Sequence, residues 1–335
     1  MAAGPFVSVV TPFYNTAPYL AGCIQSVLAQ SYRNFEYLLV NNKSTDGSRE
    51  IAARYAATDS RIRLIDNEAF VGQVENQNGA VAQISSESKY VKIVLADDFI
   101  YPECISRMVE LAEREPGVGL VSSYWLEGDK TAGAGLPRGV FRLSGREACR
   151  KMLLDGCYFL GSPNTVLYRA DSVRSRRPFF ALGRYHEDTE AGYEILLESD
   201  LGFVHEILSF TRTDNVSVTS SVRAFNSSDL DYLIVLERYG PLVLTAEELA
   251  RRRAHAHRGY YRFLGRGLLR LQGRRFWDYH RVGLAGIDWQ LRWRDVFVEA
   301  AWELARLARS PKQAVTQAVA DVRKRLGPRP PHPPG

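Results

Sequence analysis

The chain has no glycine-rich phosphate loop. Neither G-x-G-x-x-G nor G-x-x-x-x-G-K-[ST] follows any predicted strand, which excludes the dinucleotide-binding and P-loop ways of cradling a phosphate on backbone N–H groups. Cysteine is scarce. Cys23, Cys104, Cys149 and Cys157 stand far apart with no C-x-x-C pair, so neither a zinc site nor a disulfide framework is indicated, and a reducing, cytoplasmic location is expected. No run approaches the roughly 18 apolar residues of a spanning helix. The opening MAAGPFVSVV lacks the charged start and apolar core of a signal peptide.

What is present is the composition of an ordinary globular protein. Its 335 residues, 45% hydrophobic and 24% charged, suffice for one large domain plus an appendage. The net charge of +5 hides an asymmetry. From Arg251 onward 19 Lys and Arg face 6 Asp and Glu, so the basic part lies at the C-terminus and the remainder is mildly acidic.

Strands and helices alternate through the first half. Phe6 to Thr11 reads as a strand ended by Pro12, with Tyr14 and Asn15 as turn residues and a helix from Tyr19 to Ala29. Phe35 to Val40 is a second strand, Asn41 to Gly47 its polar exit loop, and Ser48 to Ala57 a second helix. Ile62 to Ile65 and Tyr90 to Leu95 are further strands, with a helix between Val71 and Ile84, and Val118 to Trp125 is a fifth. This spacing argues an α/β fold, a mostly parallel, Rossmann-like sheet covered by helices.

The stretch YVKIVLADDFIYP, Tyr90 to Pro102, carries the most chemistry. Asp97 and Asp98 follow where the strand should end, and ligands of open α/β sheets bind outside those ends. A paired carboxylate there suits Mn²⁺ or Mg²⁺, which takes one or two protein carboxylates and completes its shell with phosphate oxygens and water. The same pair also suits a solvated turn or a helix cap. Farther on, RYHEDTEAGYEILLESD predicts a helix starting near Asp188 that turns Ala191, Ile195 and Leu196 inward and leaves His186, Glu187 and Asp188 at its N-terminus. Such a carboxylate either accepts a proton in catalysis or merely caps the helix.

TPFYN (Thr11 to Asn15), VNNKSTDGS (Val40 to Ser48), Asn78-Gly79 of ENQNG and LADDFIYP (Leu95 to Pro102) together resemble glycosyltransferase family 2, over roughly residues 6–215. The resemblance implies a GT-A fold over residues 1–225 and transfer of a sugar, with inversion, from a nucleoside-diphosphate donor to a glycan, polysaccharide or lipid-linked acceptor. It implies that Thr11, Pro12 and Tyr14 border the nucleobase, that Asn42 reads the base edge, that Asn78 belongs to the nucleotide site, and that Asp97 faces the ribose. Asp98 then ligates the metal, Asp188 is the base with Glu187 second, Asp214 occupies a position from which it completes the metal shell or serves a turn, and Arg212 faces the phosphates. Asn41-Asn42 replaces a frequent Asp-Asp, and Leu95 stands where a first acid often stands. A catalytically silent nucleotide- or glycan-binding protein and a nucleotidyltransferase are the alternatives.

Residues 226–326 read as basic and helical, and 327–335 as a disordered proline-rich tail. Arg258, Arg262, Arg266, Arg270 and Arg274 recur every four residues beside Tyr261, Leu264, Leu268 and Leu271, predicting one basic amphipathic helix. Val296, Phe297, Ala300, Leu304 and Leu307 predict a second, and Val315, Val319, Val322 and Leu326 a third. Such helices suit either peripheral contact with an anionic membrane or a helical cap with a solvated Arg face. No nucleic-acid motif accompanies the charge.

Overall fold

The computed structural model describes residues 4–183, 186–213 and 228–309. The chain divides into two compact units, Met1–Asn215 and Val216–Gly335.

The first unit runs β1 (Val7–Phe13), α1 (Ala17–Leu28), β2 (Phe35–Asn41), α2 (Ser48–Ala56), β3 (Ile62–Asp66), α3 (Gln73–Val81) and β4 (Tyr90–Ile93). It continues through β5 (Phe99–Ile100), α4 (Cys104–Arg114), β6 (Val118–Glu127), β7 (Lys130–Ala132), β8 (Arg142–Leu143) and α5 (Gly145–Leu154). A 3₁₀ turn at Pro163–Thr165, β9 (Leu167–Arg169), α6 (Ala170–Arg174), α7 (Glu187–Glu198) and β10 (Asp200–Thr211) complete it.

The main sheet has the order β3-β2-β1-β4-β9-β6-β10-β5. Its first four strands are parallel, with Val10 of β1 opposite Leu38 of β2 and Ile93 of β4. All seven residues of β2 are buried, as expected of a strand covered on both faces, and FEYLLVN accordingly reads as an apolar run rather than an alternation. The short β9 enters antiparallel between β4 and β6, so the sheet is mixed. Its segment, GSPNTVLYR, looks like a turn in sequence because Pro163 and Gly161 dominate it.

Strand β4 stops at Ile93, short of the expected Leu95. The Val94 N–H still donates to Val10 O at 2.9 Å, but beyond it the chain leaves the sheet. It returns as β5, antiparallel to β10. Behind it α4 buries Cys104, Ile105, Met108, Val109, Leu111 and Ala112 against the sheet, which anchors the acid pair to the main core.

The second unit contains α8 (Ser228–Val243), α9 (Ala246–Leu269), α10 (Arg274–Ala285) and α11 (Trp293–Arg309). Thr245 and Glu248 form a reciprocal capping box that starts α9. The expected continuous Arg258-to-Arg274 helix is corrected. It ends at Leu269, Leu271 takes φ 54° and is 89% exposed, and Arg274 opens α10. Helix α9 packs closely on α11 at Gly265, where an added Cβ would lie 2.7 Å from the Ala300 backbone nitrogen. The second expected apolar face is also split, with Val296 and Ala300 buried and Phe297 and Leu304 exposed. The third helix and the proline-rich tail lie outside the described residues.

Candidate active site

At the carboxyl ends of β1 and β2, two exit loops are latched together. Asn15 has φ 50°, and its Oδ1 accepts the Thr45 N–H at 2.8 Å. The Thr16 N–H donates to Ser48 Oγ and the Ala17 N–H to Asp46 Oδ2. Burial acts to raise the Asp46 carboxyl, yet the hydrogen bonds from Ser48 and from the Ala17 and Ser48 N–H groups hold it below the usual carboxylate range. Tyr14 leans on exposed Phe70 with ring centroids 4.8 Å apart, and Pro12 is half-buried in β1.

Three residues expected at the nucleotide site make hydrogen bonds within the protein. Thr11 is fully buried, and its Oγ1 donates to Val94 O at 2.8 Å and meets the Tyr37 hydroxyl at 3.0 Å, tying β1 to β4. Asn42 is also buried. Its Nδ2 donates to Val71 O, while its Oδ1 accepts from the Val71 N–H and from Asn67 Nδ2, which fixes the 67–72 loop. Asn78 clamps the Phe180 backbone from both sides, donating to its oxygen and accepting from its N–H, each at 2.8 Å. The physical reason is common to all three: a buried side-chain amide or hydroxyl is held by whatever backbone the tertiary fold brings to it.

The acid pair is the strongest feature. Asp98 is 3% exposed, and its Oδ1 accepts the Arg212 backbone N–H at 2.8 Å. Its Oδ2 is buried with no hydrogen-bond partner. Burial first, and then the neighbouring Asp97 charge, push the Asp98 carboxyl up to about 8, against the pull of Arg212 and Thr211. Arg212 Nε donates to the Asp97 backbone oxygen at 3.0 Å, and its guanidinium lies over the Tyr19 ring at 4.6 Å. The protein thus holds an oxygen-only donor just past a strand end, its ionisation opposed by burial and by Asp97, with one oxygen unanswered. That donor set fits a hard divalent cation, which would answer Oδ2 and lower the cost of ionising the carboxylate. Among the described residues no group of three or more His, Cys, Asp or Glu is placed to hold a metal ion. Asp214 lies outside the described residues.

At the start of α7, Glu187 and Asp188 are half-buried side by side. Burial and then the Asp188 charge push Glu187 up to about 7. Burial raises Asp188 as well, opposed by His186 and by the Thr189 N–H that donates to its Oδ1 at 2.7 Å. The Tyr158 hydroxyl bonds Thr189 Oγ1 at 2.7 Å and donates to Gly161 O, so the 158–161 loop and the α7 N-terminus hold each other.

Lys92 was not expected to matter. It is fully buried in β4, and its Nζ donates to Asn164 O at 2.7 Å and to Val166 O at 3.3 Å. Burial pushes its ammonium down, opposed by Cys104. Asn164 in turn donates from Nδ2 to Phe210 O at 3.1 Å, two residues before Arg212. The chain Lys92–Asn164–Phe210 therefore props the strand that delivers Arg212 to the acids. A lysine inside the apolar run YVKIVL was the signal.

A parallel half-sheet, a mixed second half and an acid pair at the switch point define a GT-A fold, and solved structures bear this out. The chain is similar to S. aureus TarS 1-349 in complex with UDP-GlcNAc, with TM-score 0.58 and 17% identity over 84% of this chain and 80% of that one. It is similar to the mannosyltransferase PcManGT from Pyrobaculum calidifontis in complex with GDP-Man and Mn²⁺, with TM-score 0.54 and 16% identity over 98% and 89% of the two chains. The family model "Glycosyl transferase family 2" matches residues 8–174, and the chain belongs to that family through this N-terminal half. Among curated relatives, glycosyltransferase GlyG of Streptococcus pneumoniae serotype 4 is 31% identical over 119 residues, 36% of this chain, and the chain spans 39% of that protein.

Proposed function

We propose that the protein transfers a sugar from a nucleoside-diphosphate donor to a hydroxyl of a glycan, polysaccharide or lipid-linked acceptor, with inversion at the anomeric carbon. The observation that carries this reading is the buried Oδ2 of Asp98, which has no hydrogen-bond partner.

Asp98, with Asp97 beside it, would hold Mn²⁺ or Mg²⁺. When bound, the cation neutralises charge on the departing diphosphate. The remaining steps fall to side chains. Tyr14 and Phe70 offer aromatic faces to the base. Arg212, fixed through its Nε by Asp97 O, supplies a cation for the diphosphate. Asp188, deprotonated, takes the proton of the acceptor hydroxyl as its oxygen bonds to the anomeric carbon and the bond to the diphosphate oxygen breaks. The upward push on Asp188 makes it a stronger base than an ordinary aspartate. Asn78 holds the Phe180 backbone through both of its amide atoms. Attachment to a membrane surface belongs to the same reading, because lipid-linked acceptors reside there.

Calorimetric titration with UDP, GDP and dTDP, with and without Mn²⁺, tests it. One nucleotide is expected to bind tightly only with metal, and Asp98→Asn is expected to abolish the gain. Binding indifferent to both metal and Asp98 would sink the site, and release of pyrophosphate from a nucleotide sugar would turn the reading to a nucleotidyltransferase.

A further inference from the structure

Helix α11 is amphipathic in the inverted sense. Its three acids lie on the side toward α9 or beside it. Asp295 pairs with Arg292 at 2.7 Å, Glu299 faces Arg262 at 3.8 Å, and Glu303 pairs with Arg306 at 2.7 Å. The Arg306 hydrogen bond, with Arg266 and Arg262 adding to it, holds Glu303 below the usual carboxylate range. The Arg stripe of α9 is therefore partly answered by carboxylates of the same unit and is not the open cationic surface that the sequence suggested.

The opposite face of α11 points to solvent and is apolar. Trp293 is 44% exposed, Phe297 58%, Val298 47%, Trp302 64% and Leu304 54%. At 100° per residue these positions, with Ala301 and Ala308, cover about half of the helix circumference. The charged residues within that arc are Arg294 and Arg309, both exposed, and the arc contains no carboxylate. Trp293 extends the patch toward α10 by packing on Trp277, with ring centroids 4.7 Å apart.

We propose that this outward face of α11 seats in the headgroup layer of an anionic lipid bilayer, aromatic side chains inserted and Arg294 and Arg309 on lipid phosphates. Two features select this occupant. Aromatic and aliphatic residues that share their arc with no charge other than Arg294 and Arg309, with every acid outside it, are complementary to an apolar layer bordered by negative charge. A second copy of the chain is a poorer fit, because a two-fold contact brings the same face against itself and this face would set Arg294 and Arg309 against cations. No helix among the described residues is long and apolar enough to cross a membrane, so seating is in the plane. The inference deepens the membrane attachment of the proposed function, and vesicle binding reads it without any measurement of sugar transfer.

Co-sedimentation of the full chain with phosphatidylcholine vesicles, alone or with about one-third phosphatidylglycerol, tests it. The protein is expected to pellet with the anionic vesicles and stay in solution with phosphatidylcholine. Phe297→Glu with Trp302→Glu lowers the bound fraction about tenfold, and Arg294→Gln with Arg309→Gln lowers it severalfold on anionic vesicles. Trp302→Phe keeps binding but loses part of the blue shift in tryptophan emission, a readout that a merely structural role would not give. All variants keep the melting temperature, since the altered side chains face outward. Undiminished pelleting of the double Glu variant overturns the proposal. So does a wild-type dimer in sedimentation equilibrium that the double Glu variant dissolves, which would make the face a contact between copies.

Discussion

In the sheet unit the polar exception lies inside, where an Asp98 oxygen is buried with no partner. In the helical unit the exception lies outside, where Phe297, Trp302 and Leu304 are exposed while Glu299 and Glu303 turn inward to arginines. Each departure costs stability in the isolated chain, the first through a buried polar oxygen without a partner and the second through apolar surface left in water. Each also states the chemistry of what would relieve it: a cation in the first case and an apolar, anionic surface in the second.

The largest effect should come from removing the inner exception. Asp98→Asn is expected to lower transfer about a thousandfold in turnover assays while leaving the melting temperature unchanged or higher, because a buried carboxyl whose Oδ2 has no partner is replaced by a neutral amide of the same shape. A drop of several degrees would mean that Asp98 is structural after all. Asp188→Asn is expected to cost about 10²- to 10⁴-fold in kcat with nucleotide affinity intact. The wild-type kcat/KM should rise with pH through a limb above the ordinary aspartate range, since the base acts only when deprotonated and its pKa is raised.

Smaller effects separate packing from chemistry. Asn42→Ala strips the Val71 N–H and Asn67 of their acceptor and should destabilise the sheet unit by about 1–3 kcal/mol in denaturant titration, with base selectivity unaltered. In the helical unit, Gly265→Ala should cost a similar 1–3 kcal/mol, because the neighbour is the Ala300 backbone rather than a movable side chain. The smallest is a pH effect. Glu187 titrates at about 7 in the fold against 4.5 ordinarily, so the folded state holds its proton the more tightly. Its contribution to stability is full below pH 4.5 and lost as the pH rises to about 7. After solvent screening the change is on the order of 1–2 kcal/mol, and Glu187→Gln should flatten it in melts at successive pH values.

The strand–helix alternation was legible because buried parallel strands write themselves as unbroken apolar runs, FEYLLV above all. So was the acid pair, because its position after such a run is a local property. The backbone partners of Thr11, Asn42 and Asn78 were not legible, since a polar residue looks the same in sequence whichever backbone the fold brings to it. Lys92 was legible as an oddity but not as a prop.

By itself, the sequence determined the α/β class, the family, the strand-end acids and the basic character of the C-terminal helices, all of which follow from residue type and short-range spacing. Only the tertiary structure decided which oxygen of Asp98 goes unanswered, which amides serve the backbone, and which face of α11 meets solvent. Those outcomes depend on partners such as Arg212, 114 residues from Asp98, and periodicity within one helix marks an apolar face without saying what, if anything, covers it.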